Sequence, residues 1–282
     1  MKNLLIILLA AVSLSAGAQL QTPNASPAGS VSTVVGLTDV KVSYSRPRMK
    51  GRKIFGTGAE YLVQFGKIWR TGANSGTRIS FSDDVKVEGI AVPKGEYLIF
   101  SWPGATEWTV SLYADLSLGG NTDGYDKTKE TARFVVKPEK LTERVEVLTI
   151  NVGDISDNST EAKVQLAWEN TSVKFRVTVD YDTKVMKSID EATKVSPGVY
   201  GQAAAYYFEN GKDLKKALEW MTIACDANPG AYWNLLTKAK IQKAIGDKAG
   251  AAATSALSRA AAEKAKNFEY VKMNDDFVKS LK

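Results

Sequence analysis

Apolar and polar side chains alternate along most of the chain between residues 31 and 181. The clearest alternation lies in two runs, 162–168 and 173–181, with the turn-forming residues 169–172 between them. A period of two places every second side chain on one face of a strand, so these runs predict a β-hairpin with one buried face. Further runs of this kind are found at 38–45, 77–82, 84–92, 95–102, 107–114, 131–137 and 143–152. Since no helical pattern interrupts them, the sequence predicts an antiparallel β-sandwich or jelly roll over 31–181.

Near residue 182 the pattern changes to apolar side chains every three to four residues, which is typical of amphipathic helices. The sequence therefore predicts a linker over 182–197 and an α-helical domain over 198–282. The first helical pair resembles a tetratricopeptide repeat at Tyr206, Tyr207, Gly211, Ala217, Met221, Ala224 and Pro229. The second pair matches less well, because Glu263 stands where the repeat has proline. A plain helical bundle is the alternative.

The first 18 residues have the three parts of a secretory signal. Lys2 precedes an apolar run over 4–12, and the small residues Ala16 and Ala18 follow it. We therefore expect cleavage after Ala18, a flexible leader over 19–30, and a periplasmic or secreted protein. No cysteine follows the small residues, so we do not expect a lipoprotein. No later run is apolar enough to predict a membrane span.

The composition excludes several kinds of active site. The chain contains no histidine, which excludes Ser-His-Asp and Cys-His nucleophile systems and imidazole metal sites. Its one cysteine, Cys225, excludes an intrachain disulfide and falls on the apolar face of a predicted helix. The formal net charge of +6 is mild, so no nucleic-acid partner is expected. No glycine-rich phosphate loop follows a predicted strand, and we expect no cofactor.

A basic segment at residues 46–53 is the first candidate site. It contains five cations, namely Arg46, Arg48, Lys50, Arg52 and Lys53. Proline and glycine within it predict a loop, and arginine side chains fit carboxylate, sulfate or phosphate oxygens in pairs of hydrogen bonds. The segment is therefore a candidate site for an anionic ligand. In the alternative interpretation, which the nearly neutral charge of the β-domain favours, its arginines form ion pairs that tie loops down, with Asp39, Asp83, Asp84 or Glu88 as partners.

A second candidate loop follows Trp69. It is polar and carries glycine, as binding loops do, and it holds Arg70 and Asn74. The Trp69 ring could stack on a ligand or fill the sandwich core, and the sequence leaves both open. We expect any ligand to contact residues of both loops, namely Arg46, Arg48, Arg52, Trp69, Arg70 and Asn74.

Carboxylates offer a catalytic route that needs no histidine, since paired acids can hydrolyse glycosidic bonds. The available acids include Asp83, Asp84, Glu88, Glu96, Glu107, Asp115, Asp123 and Asp126. Most of them fall at turns or on outward strand positions, where solvated acids are common. Residues 121–126 have oxygen side chains at alternate positions, but the calcium-loop pattern is incomplete and a turn is favoured. We therefore predict no catalytic residues and no metal site.

Several distinctive strings occur in order along the predicted β-domain. They include Tyr44-Ser45-Arg46-Pro47, Lys50-Gly51-Arg52-Lys53-Ile54-Phe55-Gly56, Trp69-Arg70-Thr71-Gly72-Ala73-Asn74 and Phe81-Ser82-Asp83-Asp84-Val85. Their order resembles the secreted Bacteroidota family known as domain of unknown function 2911. The resemblance covers about residues 30–181 and implies export and, often, a helical tail, but no activity. It also implies a tryptophan before Gly119, where this chain has Leu118.

These observations favour an exported, non-catalytic binding or scaffold protein. Loops of the sandwich would bind an anionic small molecule or glycan, and the helical domain would bind another envelope protein. The alternative is an envelope carbohydrate hydrolase that uses paired carboxylates near Trp69. The lack of histidine and of any strong catalytic motif favours the first hypothesis.

Overall fold

The computed structural model describes residues 22–195 and 197–282. The predicted signal peptide, its cleavage site after Ala18 and residues 19–21 of the predicted leader lie outside the described residues. The chain divides into two compact units, with the boundary between Asp180 and Tyr181. The first unit is built from β-strands and the second from α-helices, which confirms the predicted order of an antiparallel β-region and then a helical region.

The described part of the first unit contains twelve strands. They are β1 (Ala28–Val35), β2 (Thr38–Ser45), β3 (Lys53–Gly56), β4 (Tyr61–Gln64), β5 (Thr77–Phe81), β6 (Val85–Val87), β7 (Ile90–Val92), β8 (Gly95–Trp102), β9 (Trp108–Tyr113), β10 (Glu130–Val136), β11 (Glu139–Gly153) and β12 (Glu161–Val179). One antiparallel sheet has the order β1-β2-β5-β8-β9-β10, and the other has the order β11-β12-β6-β7. Strands β3 and β4 form a small parallel pair. The first strand begins inside the predicted leader.

The two sheets pack face to face, and alternate residues of their strands form the core. Side chains from both sheets, among them Ile99, Val110, Val164 and Leu166, line a cavity of about 20 Å³ between them. Each such aliphatic side chain contributes about 1.5–3 kcal/mol when it is removed from water. The apolar residues of the period-two pattern are therefore the residues that form this interior.

The hairpin predicted over 162–181 is wrong, because β12 is one continuous strand. Its buried positions are even-numbered over 162–168 and odd-numbered over 173–179. Between them, Glu169 has a left-handed backbone with φ of 56°, and the register with β11 shifts on both sides of the Val145–Glu169 pair. A bulge of this kind changes which side chains face inward without reversing the chain. In the sequence, a bulge and a short turn both appear here as a few polar residues between two alternating runs.

The six-stranded sheet is also covered on part of its outer face. Leu98, Phe100 and Tyr113 are buried there, in contact with partly buried side chains that include Leu118 and Tyr125. These last two side chains come from the segment between β9 and β10, which contains two short 3-10 turns. Five consecutive residues over 97–101 are therefore buried instead of alternating. Leu118 fills this cluster at the position where the family resemblance implies tryptophan.

The described part of the second unit contains six helices. They are α1 (Asp182–Val195), α2 (Tyr200–Glu209), α3 (Leu214–Ala227), α4 (Tyr232–Ala244), α5 (Lys248–Lys264) and α6 (Phe268–Lys279). The predicted linker over 182–197 thus holds α1. Asp213 and Asp247 cap α3 and α5 by accepting main-chain N–H bonds. Small side chains pack closely in the helical core, where Cys225 is buried and burial raises the pKa of its thiol.

A buried polar group links α5 and α6. The Asn274 side chain is fully buried, accepts from Ser255 Oγ at 2.8 Å, and donates to Ser258 Oγ at 3.0 Å. Its donor and acceptor are both paired, so the amide orients the two helices without a desolvation penalty. Among the described residues, no helix has the length and apolar character that crossing a bilayer requires.

Candidate functional site

The basic segment, residues 46–53, connects β2 of the six-stranded sheet to β3 of the small parallel pair, and it bridges to β11 of the four-stranded sheet on the way; we call it the crossover. It follows β2 of the six-stranded sheet and pairs with the edge of β11. Met49 N donates to Glu146 O at 2.9 Å, and Leu148 N donates to Pro47 O at 3.0 Å. The missing N–H of Pro47 costs no hydrogen bond here, because Pro47 contacts β11 only through its carbonyl. The segment is therefore a fixed crossover up to Met49, and it turns at Lys50 and Gly51, where φ is positive.

The guanidinium groups of both candidate loops are bonded to neutral oxygens. Arg46 donates from Nε to Leu148 O at 3.4 Å and from Nη2 to Thr149 Oγ1 at 3.3 Å. Arg52 folds back onto its own segment and donates to the carbonyls of Met49 and Arg48, at 3.0 and 2.6 Å. These contacts fix the orientation of both side chains, and none of the contacting groups carries a counter-charge.

Arg70 and Asn74 are joined within the second loop. Arg70 Nη1 donates to the Asn74 carbonyl at 3.1 Å. The Asn74 amide donates to Ser45 Oγ at 3.1 Å and to the Ser26 carbonyl at 3.3 Å, which ties this loop to the start of the crossover. Asn74 thus links Arg70 to Ser45, the residue that precedes Arg46 in the chain.

The other two arginines lie further along the crossover. Arg48 is opposite Val147 on β11 and is exposed, and Arg52 contacts the Arg48 carbonyl. The nearby Glu146 carboxylate accepts the main-chain N–H of Lys50 at 2.9 Å. This carboxylate therefore contacts the basic segment directly.

Within the described residues, no carboxylate lies within 4.0 Å of a charged nitrogen of the four candidate arginines, namely Arg46, Arg48, Arg52 and Arg70. The acids suggested as partners have other contacts. Asp84 accepts the Lys94 N–H at 2.8 Å, Asp83 accepts from Thr38 and Ser82, and Glu88 accepts the Arg176 N–H. The ion pairs of the alternative interpretation are therefore not formed among the described residues.

Two glycines that the sequence analysis did not single out make room for these arginines. A Cβ at Gly29 would lie 2.8 Å from Cδ of Arg46, so the Arg46 stem crosses β1 where no side chain blocks it. A Cβ at Gly120 would lie 2.2 Å from the Asn74 carbonyl and 3.0 Å from Arg70 Nη1. Glycine within a strand is a recognised sign of close approach, which could have identified Gly29.

The Trp69 ring belongs to an aromatic cluster in the sandwich. It stacks on Trp168 with centroids 6.0 Å apart and 19° between planes, and it meets Phe55 and Trp108 edge-on. Its Nε1 donates to Gly72 O at 3.1 Å. The ring is half-buried and also lines an open hollow of about 170 Å³, together with Leu62 and Lys67. Core packing, one of the two interpretations of Trp69, is thus observed.

The backbone of the second loop is strained at a buried position. Thr71 has φ of 53°, which is unusual for a β-branched residue. Its hydroxyl is 2.8 Å from Ser101 Oγ, and its carbonyl accepts from Thr77 Oγ1. A left-handed non-glycine residue costs about 1–3 kcal/mol, so these buried hydrogen bonds hold the loop in one conformation.

The acids suggested for hydrolysis have structural contacts. Asp115 pairs with Lys129 at 2.6 Å, and the hydrogen bonds from Lys129 and Ser117 lower its pKa to about 2. Hydrogen bonds from Thr128 lower the pKa of Asp126. Residues 121–126 form a turn, in which Asn121 accepts the Asp123 N–H. Among the described residues, no group of three or more His, Cys, Asp or Glu side chains could hold a metal ion.

Three glutamates do line one open depression of about 470 Å³ on the four-stranded sheet, namely Glu88, Glu139 and Glu161. Cations lie among them. Arg176 pairs with Glu161 at 3.6 Å, and its main-chain N–H donates to Glu88. Two of the three carboxylates, those of Glu88 and Glu161, are therefore already bonded to Arg176.

A family model described as "Protein of unknown function (DUF2911)" matches residues 26–177. The match includes every residue of the crossover and of the second loop. No curated protein and no solved structure matches the chain.

Proposed function

Because the chain belongs to the DUF2911 family, whose description assigns no activity, we propose from its geometry that it is an exported, non-catalytic binding protein for an anionic group. The proposed anion site is centred on Arg46, Arg70 and Asn74. Arg48 and Arg52 extend it along the edge of β11. The ligand would be a small molecule or a glycan that carries carboxylate, sulfate or phosphate.

The observation that carries this proposal is that the arginine side chains donate to neutral acceptors, namely carbonyls and a hydroxyl. A guanidinium has five N–H donors. In Arg46, Nε donates to the Leu148 carbonyl and Nη2 donates to the Thr149 hydroxyl. Neutral acceptors orient a cation without cancelling its charge. At an effective dielectric constant near 20, a ligand anion about 4 Å away contributes about 4 kcal/mol of attraction. An anion at this site would therefore receive both electrostatic attraction and directed hydrogen bonds from the guanidinium groups.

The rigidity of the site supports binding rather than loop stabilisation alone. The crossover is hydrogen-bonded to β11, and the second loop is held by Thr71 and Asn74. Donors held in place lose little conformational entropy when a ligand arrives. A ligand would thus meet arginines whose positions are already set.

The helical unit supports the second half of the proposal, an interaction with another envelope protein. It has large exposed apolar side chains, among them Trp233, Leu257 and Phe268. Aromatic side chains of this size are frequent anchors of protein interfaces. The proposed export rests on the signal pattern of residues 1–18, and it is tested by sequencing the mature N-terminus, which should be Gln19.

The hydrolase alternative has less support. It would need the glutamates of the depression on the four-stranded sheet, where Glu161 is ion-paired and Glu88 accepts a main-chain N–H. Incubation with polysaccharides and measurement of reducing ends tests it directly. Release of sugar that Glu161→Gln abolishes would replace binding by hydrolysis as the proposed function.

Binding is tested by titrating the mature chain with inorganic phosphate, sulfate and oligogalacturonate, with calorimetry and thermal shift as measurements. We expect one of these anions to raise the melting temperature. Arg46→Ala and Arg70→Ala should remove that rise, because they remove cations that form no ion pair with a carboxylate among the described residues.

Arg78→Ala is the matched control, since Arg78 pairs with Glu96 at 3.5 Å outside the site. It should leave the response to anions unchanged. Equal responses of all three variants would indicate non-specific charge effects and would contradict the proposed site.

A further inference from the structure

We propose that β1 is the contact strand of a homodimer, in which the six-stranded sheets of two copies join edge to edge. Strand β1 is the end strand of its sheet and pairs with β2 along its whole length, from Ala28–Ser45 to Val35–Thr38. Among the described residues, no main-chain hydrogen bond joins β1 to any other strand. An antiparallel edge leaves alternate N–H and C=O groups unpaired, and these can bind a further strand.

The other edges of the two sheets carry protection that β1 lacks. Strand β10 carries the Glu130–Arg133 ion pair, and β7 has three residues. The edge of β11 is covered where Pro47 and Met49 bond to it. Charges, short length and covering segments are the means by which proteins keep edges from pairing. An eight-residue edge with none of these features is therefore available for pairing.

The segment that contains β1 also carries no charged residue. Residues 22–38 contain no Asp, Glu, Lys or Arg, although 24% of the whole chain is charged. Val34, on β1, is 59% exposed, and Leu37, in the turn that follows β1, is 54% exposed. Contact between β1 and β11 uses the inward face, where Thr33 Oγ1 donates to Val152 O at 3.2 Å. That contact leaves the outer edge of β1 open.

A second copy of this chain is the occupant that this strand fits. In an antiparallel pair with a twofold axis, residues near the axis lie opposite the same residues of the second copy. A charged residue there would face a like charge. Strand β1 has none. With the axis at Ser32, Val31 faces Thr33 of the second copy and Ser30 faces Val34. Residues opposite each other then share a face, so the inward residues of both copies continue one core surface.

The register gives a direct test by crosslinking. Opposite residues of an antiparallel pair have Cβ atoms about 4.5–5.5 Å apart, so Ser32→Cys should form a disulfide between two copies under mild oxidation. Ser30→Cys is the matched control on the same exposed face. Its two copies would lie about 13 Å apart along the strands and should not react. The natural Cys225 is buried. Equal crosslinking of the two variants, or none of Ser32→Cys, would overturn the proposal.

Sedimentation equilibrium of the mature chain tests the dimer without added cysteine. We expect a dimer that Ser32→Lys weakens at least about tenfold, because two ammonium groups then face each other at the axis. Val135→Lys is the control, since Val135 is exposed on the other edge strand, β10. A monomeric wild type, or a dimer lost in Val135→Lys and kept in Ser32→Lys, would contradict pairing through β1.

Discussion

Arg70 Nη1 donates to the main-chain carbonyl of Asn74 at 3.1 Å, across a loop in which Asn74 has φ of 56°. The Asn74 amide in turn reaches Ser45 at the end of β2. This relationship ties the second loop to the end of β2, where the crossover begins. A change that moves the Asn74 carbonyl should therefore also move the Arg70 charge.

Gly120→Ala should show this coupling. Its new Cβ would lie 2.2 Å from the Asn74 carbonyl, so the main chain must shift. We expect a loss of about 1–3 kcal/mol in the free energy of unfolding, as for other overpacked sites, together with a loss of anion binding. Gly153→Ala is the control, because its nearest neighbour is the Asn151 amide at 3.4 Å. Denaturant unfolding and calorimetry measure both effects, and unchanged binding in Gly120→Ala would contradict the coupling.

Two buried tryptophans should respond differently to replacement by phenylalanine. Trp108 and Trp168 are each 1% exposed, but Trp168 Nε1 donates to Glu146 O at 3.3 Å. Trp108 Nε1 has no hydrogen-bond partner among the described residues. Trp168→Phe leaves a carbonyl with one bond fewer, whereas Trp108→Phe removes an unpaired donor. Because Glu146 O keeps its bond from Met49 N, we expect Trp168→Phe to be more destabilising by about 0.5–1.5 kcal/mol in urea unfolding, the net value of one hydrogen bond. Equal losses would show that the Trp108 indole is paired in solution.

The Asp115–Lys129 pair should contribute to stability at mildly acidic pH. The pKa of Asp115 falls from 3.8 to about 2 in the folded chain, chiefly through the Lys129 hydrogen bond. A lowered folded pKa gives stability that is present above the ordinary pKa and is lost as pH falls toward 2. Between pH 5 and pH 2, the melting temperature of wild type should therefore fall more than that of Asp115→Asn. Asp123→Asn should behave as wild type, and parallel curves for all three proteins would rule out the contribution.

Limited proteolysis should separate the chain into a β-fragment and a helical fragment. The compact units meet between Asp180 and Tyr181, and the sequence predicts a break at Ser196-Pro197-Gly198. We expect mass spectrometry to find a resistant fragment that ends between 180 and 198. If the chain is degraded without such a fragment, the two units depend on each other for stability.

The strands and helices were predictable because their patterns are local. Val177 and Val179 are buried at period two, and Ala217 and Met221 are buried at helical spacing, as the sequence indicates. The bulge at Glu169 was not predictable, because a bulge and a turn both interrupt the alternation with polar residues. Composition alone excluded histidine chemistry and an intrachain disulfide.

The sequence by itself determined the fold class and where unusual residues concentrate. It could not determine which groups accept hydrogen bonds from the arginines among those residues. Arg46 ends beside Leu148 and Thr149, about a hundred positions later in the chain, and Arg70 ends beside Gly120. Such contacts depend on sheet order and register, which are set by pairing between distant strands. Only the tertiary structure therefore decided that these arginines meet neutral oxygens rather than the acids near them in sequence.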